Sequence, residues 1–177
     1  MSERAFPTPQ TLLTPAAEEE RAIVENLAQL YVYDWSELLH LEIGQDGRFG
    51  NFLLTPYWVD DWRHPFLLRV GDTLAGFALI EERSKVTGES GVFDMTEFFV
   101  LRRFRRRGVG LAAAFAAFDL FKGRWEVRQR EENAAATAFW RRAIGDYTRG
   151  NYQEVRWDRA EWTELVQTFS TQIRVDG

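Results

Sequence analysis

The stretch that most constrains this chain is a β-rich run that enters a basic, glycine-bearing turn and leaves as an alanine-rich segment, "TEFFVLRRFRRRGVGLAAAFAAFDLF", residues 96–121. The first part reads as a strand and the last as a helix. Between them five arginines fill six positions, 102–107, ahead of Gly108 and Gly110. N–H groups at a helix start are unpaired and carry partial positive charge. Glycines let an anion approach that backbone, and arginines add charge-assisted bonds. Strand, Gly-x-Gly, helix is therefore a pyrophosphate cradle in outline. Alone the pattern is weak, because a solvated basic surface before an ordinary helix reads the same way.

The arginine run stands out because the chain of 177 residues has a net charge of -5. That balance argues against nucleic acid as the main partner. A hydrophobic content of 45% predicts a folded core, with residues 1–10 a flexible tail and 11–177 a single domain. The chain has no cysteine, which excludes disulfides, thiolate metal sites and a cysteine nucleophile. Only His40 and His64 could serve a histidine-based zinc site, so no metal is expected. No apolar run reaches the ~18 residues of a membrane span, and the start lacks a signal-peptide core. A cytoplasmic protein without membrane contact is the expectation.

Residues 10–14 read as a short strand, or with Thr14 as cap and Pro15 in the first turn as the start of a helix. Ile23, Leu27, Leu30 and Tyr31 give that helix one buried face. Residues 44–65 read as a short helix or ordered loop. "FLLRVGDTLAGFALIEE" is two strands about a turn at Gly71–Asp72, and "VFDMTEFFVL" is a third. The alanine-rich helix carries Gly123 as a C-cap candidate. "WEVRQ" is a strand, "NAAATAFWRRAI" a helix capped by Asn133, and two further strands close the chain. This order predicts a mixed α/β sheet with a strand–helix–strand crossover in its second half.

"VLRRFRRRGVG" resembles the signature of the GNAT superfamily of acetyl-CoA-dependent N-acetyltransferases, Arg/Gln-x-x-Gly-x-Gly/Ala, with Arg105, Gly108 and Gly110 in those places. "NAAATAFWRRAIG" resembles the family's second pattern, with Asn133, Ala136 and Phe139 matching. The resemblance covers residues 92–145 and implies a central twisted mixed sheet of six to seven strands, flanked by helices and splayed between the fourth and fifth strands. It implies that Phe99 and Val100 offer backbone groups to pantetheine. Arg106, Arg107, Gly108, Val109, Gly110 and Leu111 would wrap the pyrophosphate, and Arg105 would anchor the loop. Asn133 would touch pantetheine, with Phe139 and Trp140 beside the sulfur end.

The implied activity is acetyl transfer from acetyl-CoA to a primary amine by direct attack in a ternary complex, with the acceptor unspecified. Such a reaction needs a base for the ammonium proton, and N–H groups near the splay can stabilise an oxyanion. Glu97 is the first choice for the base and Glu126 the second, with Asp94 also compatible. The family's Phe-Tyr pair is Phe139-Trp140 here, so the tyrosine that protonates the thiolate is replaced by an indole. Tyr147, water, or unassisted thiolate departure could serve instead. This departure keeps a non-catalytic acyl-CoA-binding module as the alternative. Aromatics and acids of the first helix and the segment after it, Tyr31 and Trp35 among them and Tyr33, Trp58 and Asp61 foremost, suit a cationic acceptor. The reading also admits a homodimer.

Overall fold

The computed structural model describes residues 10–50 and 54–171. Residues 1–9 of the expected tail, and the end of the last expected strand, lie outside them. Seven strands form one sheet in the order β1-β2-β3-β4-β5-β7-β6. They are β1 (Thr11–Pro15), β2 (Arg63–Val70), β3 (Thr73–Arg83), β4 (Ser90–Val100), β5 (Arg124–Arg130), β6 (Gln153–Asp158) and β7 (Thr163–Ser170). All neighbours are antiparallel except β4 and β5. That parallel pair needs a crossover, which α2 (Val109–Leu120) supplies. Helices α1 (Arg21–Leu39) and α3 (Ala134–Thr148) complete the fold.

Each sheet face has its own core. On one, Phe66, Met95, Trp125 and Val127 pack with Ala113, Ala117 and Phe118 of α2 and Trp140 and Ile144 of α3. On the other, Leu67, Phe77, Leu79 and Phe99 pack under Val24, Leu27 and Ala28 of α1. The alanines of α2 let that helix lie close to the strands without side-chain bulk between them.

Three local expectations are corrected. Thr14 and Pro15 belong to β1, paired with Leu67 and Phe66, and α1 starts only at Arg21 after a 3-10 turn over Glu18–Glu20. The edge position of β1 tolerates the missing N–H of Pro15. The buried stripe of α1 runs through Val24, Leu27 and Ala28, while Leu30 is 49% exposed. α2 ends at Leu120 with Phe121 as its extended C-cap, so Gly123 does not cap it. Asn133 does cap α3: its side chain accepts from the Ala136 N–H at 3.0 Å.

Candidate active site

β4 is the strand on which the site is built. It pairs with β5 at only four positions, from Val92 opposite Arg124 to Met95 opposite Val127. Beyond them β4 stays with β3 while β5 continues along β7. The parting coincides with a bulge: Ile80 opposes Met95, Leu79 opposes Glu97, and Thr96 is the extra residue. A one-residue insertion exchanges the faces of a strand. Phe93 and Met95 therefore face α2 and α3 before it, and Phe98 and Val100 do so after it. Glu97 is turned to the α1 face, where Phe99 also lies.

Past the bulge, alternation directs successive backbone groups to opposite sides of β4. Leu101 donates to the Ala75 carbonyl at 2.8 Å, on the β3 side. The Phe99 carbonyl oxygen is on that side too, only 1.9 Å from where a Cβ on Gly76 would stand. The backbone groups of Phe98 and Val100 are thus the ones directed to the open side, whereas those of Phe99, expected to serve pantetheine, are turned to β3 because the strand alternates past the bulge.

The loop after β4 is tied down by its arginines. Arg105 Nε donates to the Val100 carbonyl at 2.7 Å, and its guanidinium pairs with Asp34 of α1. Arg102 bonds the same carboxylate at 2.7 Å. Burial pushes Asp34 up, but these hydrogen bonds outweigh it and hold the carboxyl below its ordinary range. Arg103 stacks on Phe104. Arg103, Arg106 and Arg107 make no ion pair among the described residues, so three of the five arginines keep their charge for solvent or a ligand.

Gly108 caps α2 with φ 79°, and the first helical bond runs from Ala112 N–H to the Gly108 carbonyl at 2.9 Å. Val109, Gly110 and Leu111 consequently have no intrahelical acceptor. A Cβ on Gly110 would come within 3.2 Å of the Phe139 ring, which itself stacks on Phe98 at 5.8 Å. These features fit a nucleotide pyrophosphate. A second fit lies on β5, where buried Gln129 lines the splay and its Oε1 has no hydrogen-bond partner, an acceptor suited to an amide N–H. Among the described residues no group of three or more metal-binding side chains occurs.

The splay opens as a cleft of about 380 Å³. Asn133, Ala136, Phe98 and Trp140 line its α3 side, and Tyr31, Val32, Trp35 and Leu39 line its α1 side. Glu97 lies between. It accepts from the Tyr31 hydroxyl at 2.5 Å, and burial raises its carboxyl to about 7 against the pull of that bond. Burial likewise keeps the Tyr31 phenol well above its usual range, so it stays a donor.

Next to Glu97 the cleft floor is an ion cluster. Arg128 Nε bonds Asp94 at 3.0 Å and its Nη1 bonds Glu164 at 3.1 Å. Burial alone would lower Arg128, but its two carboxylates keep it firmly charged. Asp94, wholly buried, also accepts from Thr96 at 2.8 Å. Glu126 is buried outside the cleft lining, where Ser84 Oγ donates at 2.8 Å and the Lys85 N–H donates as well. Burial raises its carboxyl too.

Tyr33, Trp58 and Asp61 are not brought to this cleft. Tyr33 is 60% exposed on α1, beside Phe49. Trp58 packs with the α1-side core and donates to the Ala16 carbonyl at 3.0 Å. Asp61 is exposed in the turn before β2. Tyr147 donates to Asp119 at 2.8 Å and packs on Phe115 and Phe118, away from the cleft lining. Residues that sequence reasoning missed are Arg128, Glu164 and Trp162. Arg128 carried a signal, since it follows Glu126 by two on the same strand and so shares its face. Trp162 and Glu164 come from the far end of the chain and carried none.

The matches to known proteins agree with this geometry. No curated protein matches the chain at the sequence level. Solved structures match over nearly the whole chain at low identity. An acetyltransferase from Thermus thermophilus is 17% identical with a TM-score of 0.63, covering 92% of this chain and 99% of its own. A spermidine N-acetyltransferase from Vibrio cholerae, in a point-mutant form, is 11% identical with a TM-score of 0.64, covering 92% and 94%. A ribosomal-protein-alanine N-acetyltransferase from Escherichia coli is 12% identical with a TM-score of 0.58, covering 94% and 97%. These establish the fold, a seven-stranded mixed sheet parted between its fourth and fifth strands. The family model for the acetyltransferase (GNAT) family matches residues 25–145, from α1 through α3. With its glycine cradle and splayed strands accounted for, the chain belongs to the GNAT family of acetyltransferases and is an acyltransferase enzyme.

Proposed function

We propose that this enzyme moves an acetyl group from acetyl-CoA to a primary amine by direct attack in a ternary complex, with Glu97 as the base. The single observation that carries the proposal is a half-buried carboxyl, raised to about 7, at the point where the strands part. A base poised near the working pH is the most effective proton acceptor, because it is both ionised and basic enough.

Acetyl-CoA supplies an activated acyl group and a thiol that leaves. The chain's own residues do the rest. Arg106 to Leu111 present unpaired N–H groups and two uncommitted guanidiniums to a pyrophosphate. The Phe98 backbone and the Val100 N–H lie along the open edge, the Val100 carbonyl being held by Arg105, with Asn133, Phe139 and Trp140 beside them. Glu97 takes the ammonium proton, and Tyr31 O–H holds the carboxylate in place. Glu126 is less suited, since the Ser84 hydroxyl and the Lys85 N–H already occupy it. Trp140 donates no proton as an acid. Tyr147, held by Asp119, is remote from the lining, so the thiolate departs unassisted or through water. Holding both reactants side by side supplies much of the rate. A single domain over residues 11–177 in the cytoplasm is consistent with this role.

The specific observation that favours a second reading is Trp140 itself, 5% exposed in the core where the family places an acid. A non-catalytic acyl-CoA-binding module would retain the cradle and lack turnover. Release of free thiol from acetyl-CoA with a panel of amines separates the two. Amine-dependent release, abolished in Glu97→Gln, supports the transferase; tight acetyl-CoA binding without release by any amine supports the module.

A further inference from the structure

The α1 side of the cleft has a definite chemistry. Tyr31, Trp35 and Leu39 follow one another at i, i+4 and i+8 along α1 and form one apolar wall. Trp162, from the turn between β6 and β7, lines the same cleft. That indole is fixed by two guanidiniums, Arg130 at 5.0 Å and Arg159 at 5.2 Å from its ring. Val32 and Leu41 extend the apolar surface toward solvent.

Charge in the cleft is nearly all spent internally. Asp94 and Glu164 are held by Arg128, and Glu164 also lies 3.5 Å from Arg159. Glu97 is the carboxylate of the lining that enters no ion pair among the described residues. One ammonium therefore has one carboxylate to meet. A second ammonium would find only committed acids, with Arg128 and Arg130 repelling it. A sugar would leave most of its hydroxyls against the wall of Tyr31, Trp35 and Leu39, since the acceptors left without a hydrogen bond in the lining are few, Gln129 Oε1 and Glu164 Oε2.

We infer that the acceptor is a monoamine with a single positive charge and an aromatic or branched apolar body, seated between Trp35 and Trp162 with its nitrogen at Glu97. This deepens the acetyl-transfer reading and rests on it. The two indoles offer apolar surface to an aryl or branched body, while the ammonium is met by Glu97 rather than by Trp162, whose ring already carries two guanidiniums. The polar end reaches inward to the splay and the apolar end stays between the two tryptophans.

The test compares tryptamine, 2-phenylethylamine and isoamylamine with spermidine, glucosamine and lysine, at saturating acetyl-CoA. The expected result is a kcat/KM for tryptamine at least about tenfold above spermidine, glucosamine and lysine, as burial of an aromatic body predicts. Trp35→Ala and Trp162→Ala should each lower the ratio of tryptamine to ethylamine kcat/KM by about tenfold, since ethylamine has no body to lose. Preference for spermidine, glucosamine or lysine overturns the inference. So does an equal fall for both amines in the two variants, which is how a merely structural role would read. Calorimetric titration of tryptamine and spermidine into the protein keeps the two readings apart. If acetyl-CoA fails to bind, the transferase reading falls, yet tryptamine binding that is weakened by Trp162→Ala still supports the amine pocket. If acetyl-CoA binds and tryptamine does not, the pocket inference falls alone.

Discussion

Glu97 and Glu126 sit on the same face of the sheet, on neighbouring strands, one on either side of the point where β4 and β5 part. Burial raises both. What differs is how their oxygens are used. Glu126 meets a hydroxyl and a backbone N–H at the β3–β4 turn, where it fastens Ser84 and Lys85 to β5. Glu97 accepts one phenol hydroxyl and otherwise looks into the cleft. The first is a buried acid with its neighbours settled, the second one with room for a reactant. A raised carboxyl marks a functional site only when something is left for it to do.

The sharpest way to break this contrast is to remove each charge separately. Glu97→Gln keeps an acceptor for Tyr31 but cannot take a proton. Its kcat should fall by about 10²- to 10⁴-fold while acetyl-CoA still binds. Glu126→Ala should change kcat by less than about tenfold, but leave the buried Ser84 hydroxyl without its acceptor at a cost of about 1–3 kcal/mol in stability. Steady-state kinetics and urea denaturation on both variants read the difference. Equal activity losses would mean that the two acids act as one unit.

The pH dependence separates them next. A base raised to about 7 must be ionised to act, so activity at saturating amine should rise with pH through about 7 and level off above it. The same shift acts on stability in the opposite sense. Folded Glu97 holds its proton between 4.5 and about 7, where the unfolded chain has lost it. The stability this group contributes is therefore present below 4.5 and lost as pH rises through about 7. Above that pH Glu97→Gln should be more stable than wild type by about 1–3 kcal/mol, nearer the lower figure because the carboxyl partly faces the cleft. Thermal melts at pH 5 and pH 8 test the sign: the gain appears at pH 8 and shrinks at pH 5.

The two sides of the cleft were unequally legible in the sequence. The local geometry of the candidate cradle could be read because its parts are contiguous: Gly108 and Gly110 shape the loop's backbone, the Arg105 side chain ties it to the Val100 carbonyl five residues back, and Asn133 caps its own helix. The mixed sheet and its crossover through α2 followed from the alternation of elements, but the order of the strands within the sheet did not. The proposed acceptor side could not be read in the same way, because the cleft there is assembled from α1, β4, β5 and the β6–β7 turn. Tyr31 and Trp35 belong to a region already marked as aromatic, but choosing them over Tyr33 requires the phase of α1. That phase is set by contacts with Phe77 and Phe99 across the fold. The bulge at Thr96 is the other hidden element. Plain alternation puts Glu97 on the same face as Phe93 and Met95, and only the extra residue turns it to α1.

Tyr31→Phe is the smallest and most discriminating change. The ring is embedded between Trp35, Phe77 and Phe99, so phenylalanine keeps the packing and removes only the hydroxyl. That hydroxyl's bond favours the ionised form of Glu97 and opposes the effect of burial. Without it the carboxyl should rise further, and the rising limb of the activity profile should move toward higher pH by up to about one unit, the usual size of one hydrogen bond's effect. At pH 9 the variant should approach wild-type kcat, because Glu97 is then ionised in both; at pH 6.5 it should be several-fold slower. Ser84→Ala makes the matching change at Glu126 and should leave the profile where it is. A shift with Ser84→Ala, or none with Tyr31→Phe, would transfer the base assignment from Glu97 to Glu126.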